Sequence, residues 1–338
     1  MKKDNTAKER QSKRLSRLAE QGLYRKSVLV HEECNKVFEH LKPYFADPKN
    51  LNDLKEIANR MLTVKPVNVA QVRQISPFRY PGGKTWLVPE VKKWLYELSY
   101  RPSLFVEPFA GGGITALTVA IEDLADRVIM AELDPDVSAV WKTILSDPDY
   151  LCKKILDFDV NGEAVSEIIN SEPENFKQHA FKTIVKNRTQ RGGIIAPGAS
   201  LVKSGENGKG LKSRWYPETL VRRIRAIYEF RFRIDFYEED AFKIIEQYKD
   251  EQDAVFFIDP PYTAGGKSAG KRLYRFNHID HEKLFSVMSK IRGRFMMTYD
   301  DAGEVIELAR EYGFWISKVP MKNTHHEVKY ELLIKKPD

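Results

Sequence analysis

Asp259-Pro260-Pro261-Tyr262 follows directly on the apolar run Ala254 to Ile258. A short apolar run has the length of a buried strand, so the tetrapeptide is expected at the carboxyl end of one. It brings together the two functions needed to methylate the exocyclic amine of a nucleobase. The amine lone pair is delocalised into the ring, and an acceptor for the amine hydrogens favours the tetrahedral, nucleophilic nitrogen. Asp259 and the Pro260 carbonyl are such acceptors. Two prolines fix φ and remove two donors, giving a stiff elbow on which Tyr262 offers a ring face to a base taken out of its stack. A plain turn between strand and loop has the same composition, so the assignment depends on its partners.

The first partner is Phe105-Val106-Glu107-Pro108-Phe109-Ala110-Gly111-Gly112-Gly113, followed by the helical stretch Ile114 to Ile121. This reads as strand, glycine loop and helix, with consecutive glycines that let backbone approach a ligand. The next expected strand, Arg127 to Ala131, ends in Glu132-Leu133-Asp134, about 20 residues after the loop, where a carboxylate can take ribose hydroxyls. The loop lacks G-x-G-x-x-G and a Walker lysine, which disfavours NAD and ATP.

A third element lies upstream, Phe78-Arg79-Tyr80-Pro81-Gly82-Gly83-Lys84. In order, these motifs resemble the set of Dam-like DNA adenine-N6 methyltransferases of the alpha group, over roughly residues 76 to 336. Thr298-Tyr299-Asp300-Asp301, Glu331-Leu332-Leu333-Ile334 and, after the tetrapeptide, Leu273-Tyr274 with Phe276 add to the likeness. The resemblance implies S-adenosylmethionine as cofactor. Tyr80, Gly82, Gly83 and Lys84 would lie against it and the target pocket, and Phe109 to Gly113 would hold its methionine part, with Glu107 and Pro108 beside them. Glu132, with Leu133, would bind the ribose, and Asp240, with Ala241, would meet the adenine amine. Asp259, Pro260, Pro261 and Tyr262 would be catalytic, Asp259 also touching cofactor. Two plainer readings stay open at this point: Lys84 as a surface lysine at the start of a Trp86 to Leu98 helix, and Asp240 as a helix N-cap.

Composition sets the bounds. At 338 residues with 42% hydrophobic residues the chain can bury a core. Cys34 and Cys152 are too few for a disulfide framework or zinc cluster and point to a reducing cytoplasm. Neither follows a proline, as the nucleophile of cytosine-C5 methyltransferases does. His325-His326 has no ligand partner at zinc spacing, so no metal is expected. No run approaches the roughly 18 apolar residues of a membrane span, and no signal peptide is expected.

The net charge of +7 is uneven. Residues 1 to 30 hold nine Lys or Arg against Asp4, Glu9 and Glu20, a net of +6. A second basic segment, Lys177 to Arg233, has fourteen basic residues against Glu206, Glu218 and Glu229. Interleaved with Trp215, Tyr216 and Tyr228, it suits phosphate contacts and aromatic wedges on double-stranded DNA. It lies where Dam-like enzymes insert a target-recognition domain, here expected at 143–232, between methyltransferase parts at 71–142 and 233–338. Arg188, Gln190 and Arg191, in a reading hairpin, have the chemistry for base edges. Lys203, Lys212, Arg214, Trp215 and Arg222 are further expected DNA contacts, as is Lys84 in the target pocket. In the glycine-bearing loop after Tyr262, so are Lys267, Lys271, Arg272 and Tyr274, closing over an extruded adenosine.

Residues 1–70 fall outside the resemblance and are expected to form a basic arm. Their strand, Arg25 to Glu33, followed by two helices resembles a ribbon-helix-helix unit, which would pair two chains; a helical tethering or dimerising arm is the alternative. The expected architecture is α/β: a Rossmann-like S-adenosylmethionine-dependent methyltransferase fold with a mainly helical recognition insert. The expected function is adenine-N6 methylation of double-stranded DNA after base flipping, in the cytoplasm of a prokaryote or from a phage. Cytosine-N4 or RNA amino methylation, or a non-catalytic repressor, are the alternatives.

Overall fold

The structure, a computed structural model, describes residues 72–80, 82–261, 275, 276, 278–322 and 328–337, together with Glu39, Phe45 and residues 47–50. The chain divides into two units, Met1–Lys65 and Pro66–Asp338. In the first, Pro48–Asn50 form a 3-10 turn, opened by the Asp47 side chain accepting from the Lys49 N–H at 2.9 Å. The strand and helices expected of the arm lie outside the described residues.

In the second unit, seven strands among the described residues form one sheet: β1 (Leu104–Glu107), β2 (Arg127–Ala131), β3 (Ile234–Tyr237), β4 (Ala254–Ile258), β5 (Arg294–Asp300), β6 (Trp315–Lys322) and β7 (Val328–Lys335). Their order is β3-β2-β1-β4-β5-β7-β6. The first five named are parallel, and β7 runs antiparallel between β5 and β6. Val106 sits level with Ile129 on one side and Phe256 on the other. Every residue of β4 is buried, which explains its unbroken apolar run: a parallel sheet is covered on both faces.

Alternation along the strands divides the core in two. Phe105, Val255, Phe257, Met296 and Leu333 face the layer that includes α1 (Val88–Glu97), α2 (Ile114–Ile121) and α3 (Pro135–Ser146). Between β2 and β3 follow α4 (Pro148–Asp157), α5 (Gly162–Asn170), α6 (Phe176–Thr189) and α7 (Pro217–Glu229). Leu151, Ile184 and Ile224 of these helices join the same core, so the helical insert is packed onto the sheet's own hydrophobic layer. Val106, Ile129, Phe256, Ile258 and Tyr299 face the opposite way, onto α8 (Ala241–Tyr248), α9 (His281–Ser289) and α10 (Gly303–Glu311).

Side-chain caps set where α3 to α6 begin. Asp134, Asp147, Asn161 and Asn175 each accept from backbone N–H groups in the first turn of α3, α4, α5 and α6, satisfying donors that a helix start leaves unpaired. Because β1 to β5 are parallel, their carboxyl ends share one edge of the sheet, where open α/β sheets hold ligands. Among the described residues, no helix is long and apolar enough to cross a membrane.

Phe256 is fully buried at the sheet centre. Phe256→Ala is expected to lower the unfolding free energy by about 3–5 kcal/mol through the cavity it leaves, read by urea denaturation with an unchanged m-value.

Candidate active site

The loop after β1 is bare of side chains at the points where it is held. Gly111 and Gly113 have φ of +47° and +62°, left-handed values that glycine adopts without steric cost. A Cβ on Gly111 would stand 2.7 Å from Tyr80 Cε1, and one on Gly112 would stand 2.9 Å from Tyr80 Cβ. Tyr80 therefore lies directly on the glycine loop. Three hydrogen bonds fix the loop's path. Ala110 N–H donates to the Ala131 carbonyl at 2.9 Å, Trp141 Nε1–H from α3 donates to the Gly111 carbonyl at 3.0 Å, and the Ser76 hydroxyl donates to the Gly112 carbonyl at 2.5 Å.

Carboxylates ring this loop. Glu107, at the end of β1, is buried, and its Oε2 accepts from Ala116 N–H at 2.8 Å in the first turn of α2. Burial pushes its carboxyl well above the usual range, and nearby Asp259 pushes the same way. Glu132, just past β2, accepts from Gly111 N–H through Oε2 and from Asp134 N–H through Oε1, each at 2.9 Å. Burial pushes it up to about 7, although these N–H groups favour the anion. Asp240 caps α8, accepting from Phe242 N–H at 2.9 Å, and also lines the cavity described below. The N-cap reading of Asp240 is thus observed, and its place on the cavity leaves it open to a ligand as well.

Lys84 departs from the surface-lysine reading. It opens a 3-10 turn, Lys84–Trp86, ahead of α1, and it is buried. Its Nζ stands 3.0 Å from Asp259 Oδ1 and 3.6 Å from Glu331 Oε2 on β7. Burial opposes the ammonium, but the two carboxylates outweigh it and hold its pKa above the usual lysine range. Asp259 Oδ1 also accepts from the Thr298 hydroxyl of β5 at 2.7 Å. One oxygen of the motif aspartate is thus held from two directions by buried donors. Sequence reading singled out Thr298 and Glu331 only as part of a likeness and gave them no role, because contacts across 39 residues and more carry no local signal.

A single cavity of about 860 Å³ joins these groups. Tyr80, Gly82, Gly83, Lys84, Glu107, Pro108, Phe109, Ala110, Gly111, Gly112, Gly113, Glu132, Leu133, Asp240, Ala241, Asp259, Pro260 and Pro261 all line it. Tyr262 lies outside the described residues. Residues 80–323 match the family model described as D12 class N6 adenine-specific DNA methyltransferase. The chain belongs to that family. A type II methyltransferase, M.MjaIII of Methanocaldococcus jannaschii, is 22% identical over 305 residues, covering 77% of this chain and 99% of the relative. Among solved structures, the rRNA methyltransferase aviRa of Streptomyces viridochromogenes aligns over 76% of this chain and 86% of its own, with 13% identity and a TM-score of 0.35. A precorrin-6y C5,15-methyltransferase of Geobacter metallireducens aligns over 79% and 97%, with 9% identity and a TM-score of 0.32.

This D12-class methyltransferase transfers a methyl group from S-adenosylmethionine to adenine N6 of DNA, on the Rossmann-like fold of its class. Membership sets aside the cytosine, RNA and repressor readings. The residues present fit the cofactor: three glycines that put no side chain into the cavity they line, the carboxylates of Glu132 and Asp240, which can accept hydroxyl and amine hydrogens, and the apolar Phe109, Leu133 and Phe242 lining the same cavity. Among the described residues, no group of three or more His, Cys, Asp or Glu could hold a metal.

The basic insert differs from its sequence reading at three positions. Arg188 is not an exposed base reader: it is buried, its Nη2 donates to the Pro77 carbonyl, and burial with the nearby Arg223, Arg79 and Arg214 lowers its pKa to about 9. Gln190 is buried too, donating to the Ala199 carbonyl at 3.3 Å. Trp215 packs against Phe158, ring centroids 5.4 Å apart, and is no surface wedge. The helix α6 runs to Thr189, so residues 187–189 lie on a buried helix, and a short antiparallel pairing of Gln190 with Leu201 follows directly after it. Arg191, Lys203, Lys212 and Arg222 are exposed, Lys212 pairing with Asp159 at 3.2 Å. Arg214 is half-buried and lines the cavity. Lys267, Lys271, Arg272 and Tyr274 lie outside the described residues.

What sequence reading missed here is a clamp. Asn187 Oδ1 accepts from Arg79 N–H at 2.9 Å, and its Nδ2 donates to the carbonyls of Arg79 at 3.0 Å and Gly193 at 2.7 Å. Arg223 of α7 donates to the Ser76 carbonyl at 2.9 Å. Residues 76–80 therefore bridge the insert to the glycine loop.

Lys84→Met would leave two carboxylates at the cavity wall without the cation between them. An unfolding free energy lower by about 3 kcal/mol is expected in denaturant titrations, where a surface lysine would register no more than about 0.5 kcal/mol.

Proposed function

We propose that Asp259 and the Pro260 carbonyl accept the amine hydrogens of an adenine flipped from double-stranded DNA into this cavity. The observation that carries the reading is the position of Asp259. It stands at the carboxyl end of β4, restrained by Lys84 and Thr298, in the same cavity as the glycine loop and Glu132. S-adenosylmethionine supplies, when bound, a methyl group that an amine nitrogen can take. The chain's own contributions are orientation and charge. Glu132 would take the ribose hydroxyls, Asp240 the adenine amine of the cofactor, and Gly111 to Gly113 would leave room for its amino-acid end. Asp259 would hold the target amine by its hydrogens, pyramidalise its nitrogen and face the proton that must leave. Tyr262, by its place in the motif, would stack on the base. Fixing both reactants in one walled cavity supplies near-attack geometry.

The insert, taken as residues 143–232 between methyltransferase parts at 71–142 and 233–338, would meet the duplex through Arg191, Lys203, Arg214 and Arg222, with Lys212 at its edge. Lys267, Lys271, Arg272 and Tyr274 would contact DNA beside the flipped nucleotide. A site of action in the prokaryotic cytoplasm and pairing of two chains through residues 1–70 complete the reading. The type II designation of the Methanocaldococcus relative supports a place in restriction-modification.

Two outcomes are expected. Single-molecule sequencing of DNA from cells expressing the intact chain should show N6-methyladenine in one defined motif, and Asp259→Ala should remove it; methylation persisting in soluble Asp259→Ala would withdraw the assignment. Ribose hydroxyls donate best to an ionised Glu132, so cofactor binding should favour the anion. With its carboxyl pushed up to about 7, affinity should weaken about tenfold between pH 8 and pH 6, and level off above pH 8, in calorimetric titrations; a pH-independent affinity would remove Glu132 from the ribose.

A further inference from the structure

Glu331 is a buried carboxylate in the middle of the sheet's antiparallel strand, a place where a charge is costly unless paired. Sheet register fixes it: on β7 it lies opposite Asp300 of β5 and Val319 of β6, followed by the core residues Leu332, Leu333 and Ile334. It lines the catalytic cavity, and its Oε2 is 3.6 Å from the Lys84 ammonium, which in turn is 3.0 Å from Asp259. We propose that Glu331 is a positioning residue for methyl transfer, acting through Lys84 to keep Asp259 a strong acceptor for the target amine. The proposal rests on the assignment of Asp259 made above.

A lysine paired with Asp259 alone would neutralise it and compete with the amine hydrogens for its electron density. Sharing the ammonium between two carboxylates leaves the group of three with one net negative charge at the cavity wall. During transfer the N6 lone pair forms the bond to the methyl carbon, the carbon–sulfur bond breaks with its electrons left on sulfur, and one N6 proton passes to Asp259 and from it to water. Positive charge therefore develops on nitrogen next to Asp259, and the surplus negative charge stabilises it. Glu331 touches neither reacting atom in this scheme; it limits how far Lys84 can draw on Asp259. Among the described residues, charged or titratable groups near Asp259 include Lys84, Glu331 of β7, Glu107 of β1 and Tyr299 of β5, with the Thr298 hydroxyl as a neutral donor.

The test uses the full chain, tritiated S-adenosylmethionine and genomic DNA from a host without adenine methylation. Glu331→Gln keeps the size and removes the charge. Its kcat should fall about tenfold to a hundredfold, less than the loss of a direct contact, with both KM values within about threefold. The acid limb of the rate profile should move to lower pH, because one negative charge has gone from the cavity wall. Unchanged kcat and acid limb would overturn the proposal. So would a kcat loss with an unmoved acid limb and a matching loss of cofactor affinity and melting temperature, the signature of a purely structural residue. If Glu331→Gln does not fold, Glu331→Asp decides: retaining the charge, it should keep the wild-type acid limb, and a displaced limb would sink the idea. Asp259→Asn, run alongside, should be inactive; activity there would remove the Asp259 assignment, and this proposal with it, whatever Glu331 does.

Discussion

A lysine ammonium inserted between two carboxylates ties together parts of the chain that are far apart in sequence. Lys84 comes from the turn before α1, Asp259 from the end of β4 and Glu331 from the last strand. Buried charge of this kind is poor glue, since desolvation cancels much of the attraction. What it gives is position, because each partner must be where the others are or be left unpaired. The edge of the sheet that binds ligand is therefore held by electrostatics on one side, while the glycine loop and its three hydrogen bonds hold the other.

Much of this was legible in the sequence. The run Ala254 to Ile258, the helix Ile114 to Ile121 and the strand Arg127 to Ala131 appear with the expected bounds, because a fully covered parallel sheet writes its burial as continuous apolar residues. Motif residues at the ends of these strands converge on one cavity for the same reason: parallel strands put all their carboxyl ends on one edge. The lysine was the instructive case. The motif likeness puts Lys84 at the target pocket, and only the fold shows the two carboxylates that make its burial tolerable.

The insert was legible in composition and not in detail. Its basic excess is plain, yet the sequence does not separate an arginine that meets solvent from one that braces a backbone carbonyl. Arg188 and Arg191 are three residues apart, one buried on Pro77 and one exposed. The difference comes from where α6 ends and from Asn187, whose partners at Arg79 are 108 residues away. Trp215 belongs with them: an aromatic among cations suggests stacking on bases, but here the ring fills the insert's own core beside Phe158.

The Asn187 clamp bears on how such an enzyme could acquire a new target sequence. Gly193 presses so closely on the Arg79 carbonyl that any Cβ would collide with it, and Asn187 grips the same peptide by both its N–H and its carbonyl. The helical insert is thus keyed to the segment that lies on the glycine loop. A recognition segment transplanted from a relative would have to bring its own counterpart of residues 76–80, or mutate in step with them. The insert and residues 76–80 are inherited as a lock with its key, not as a cassette that slides in and out of a neutral socket.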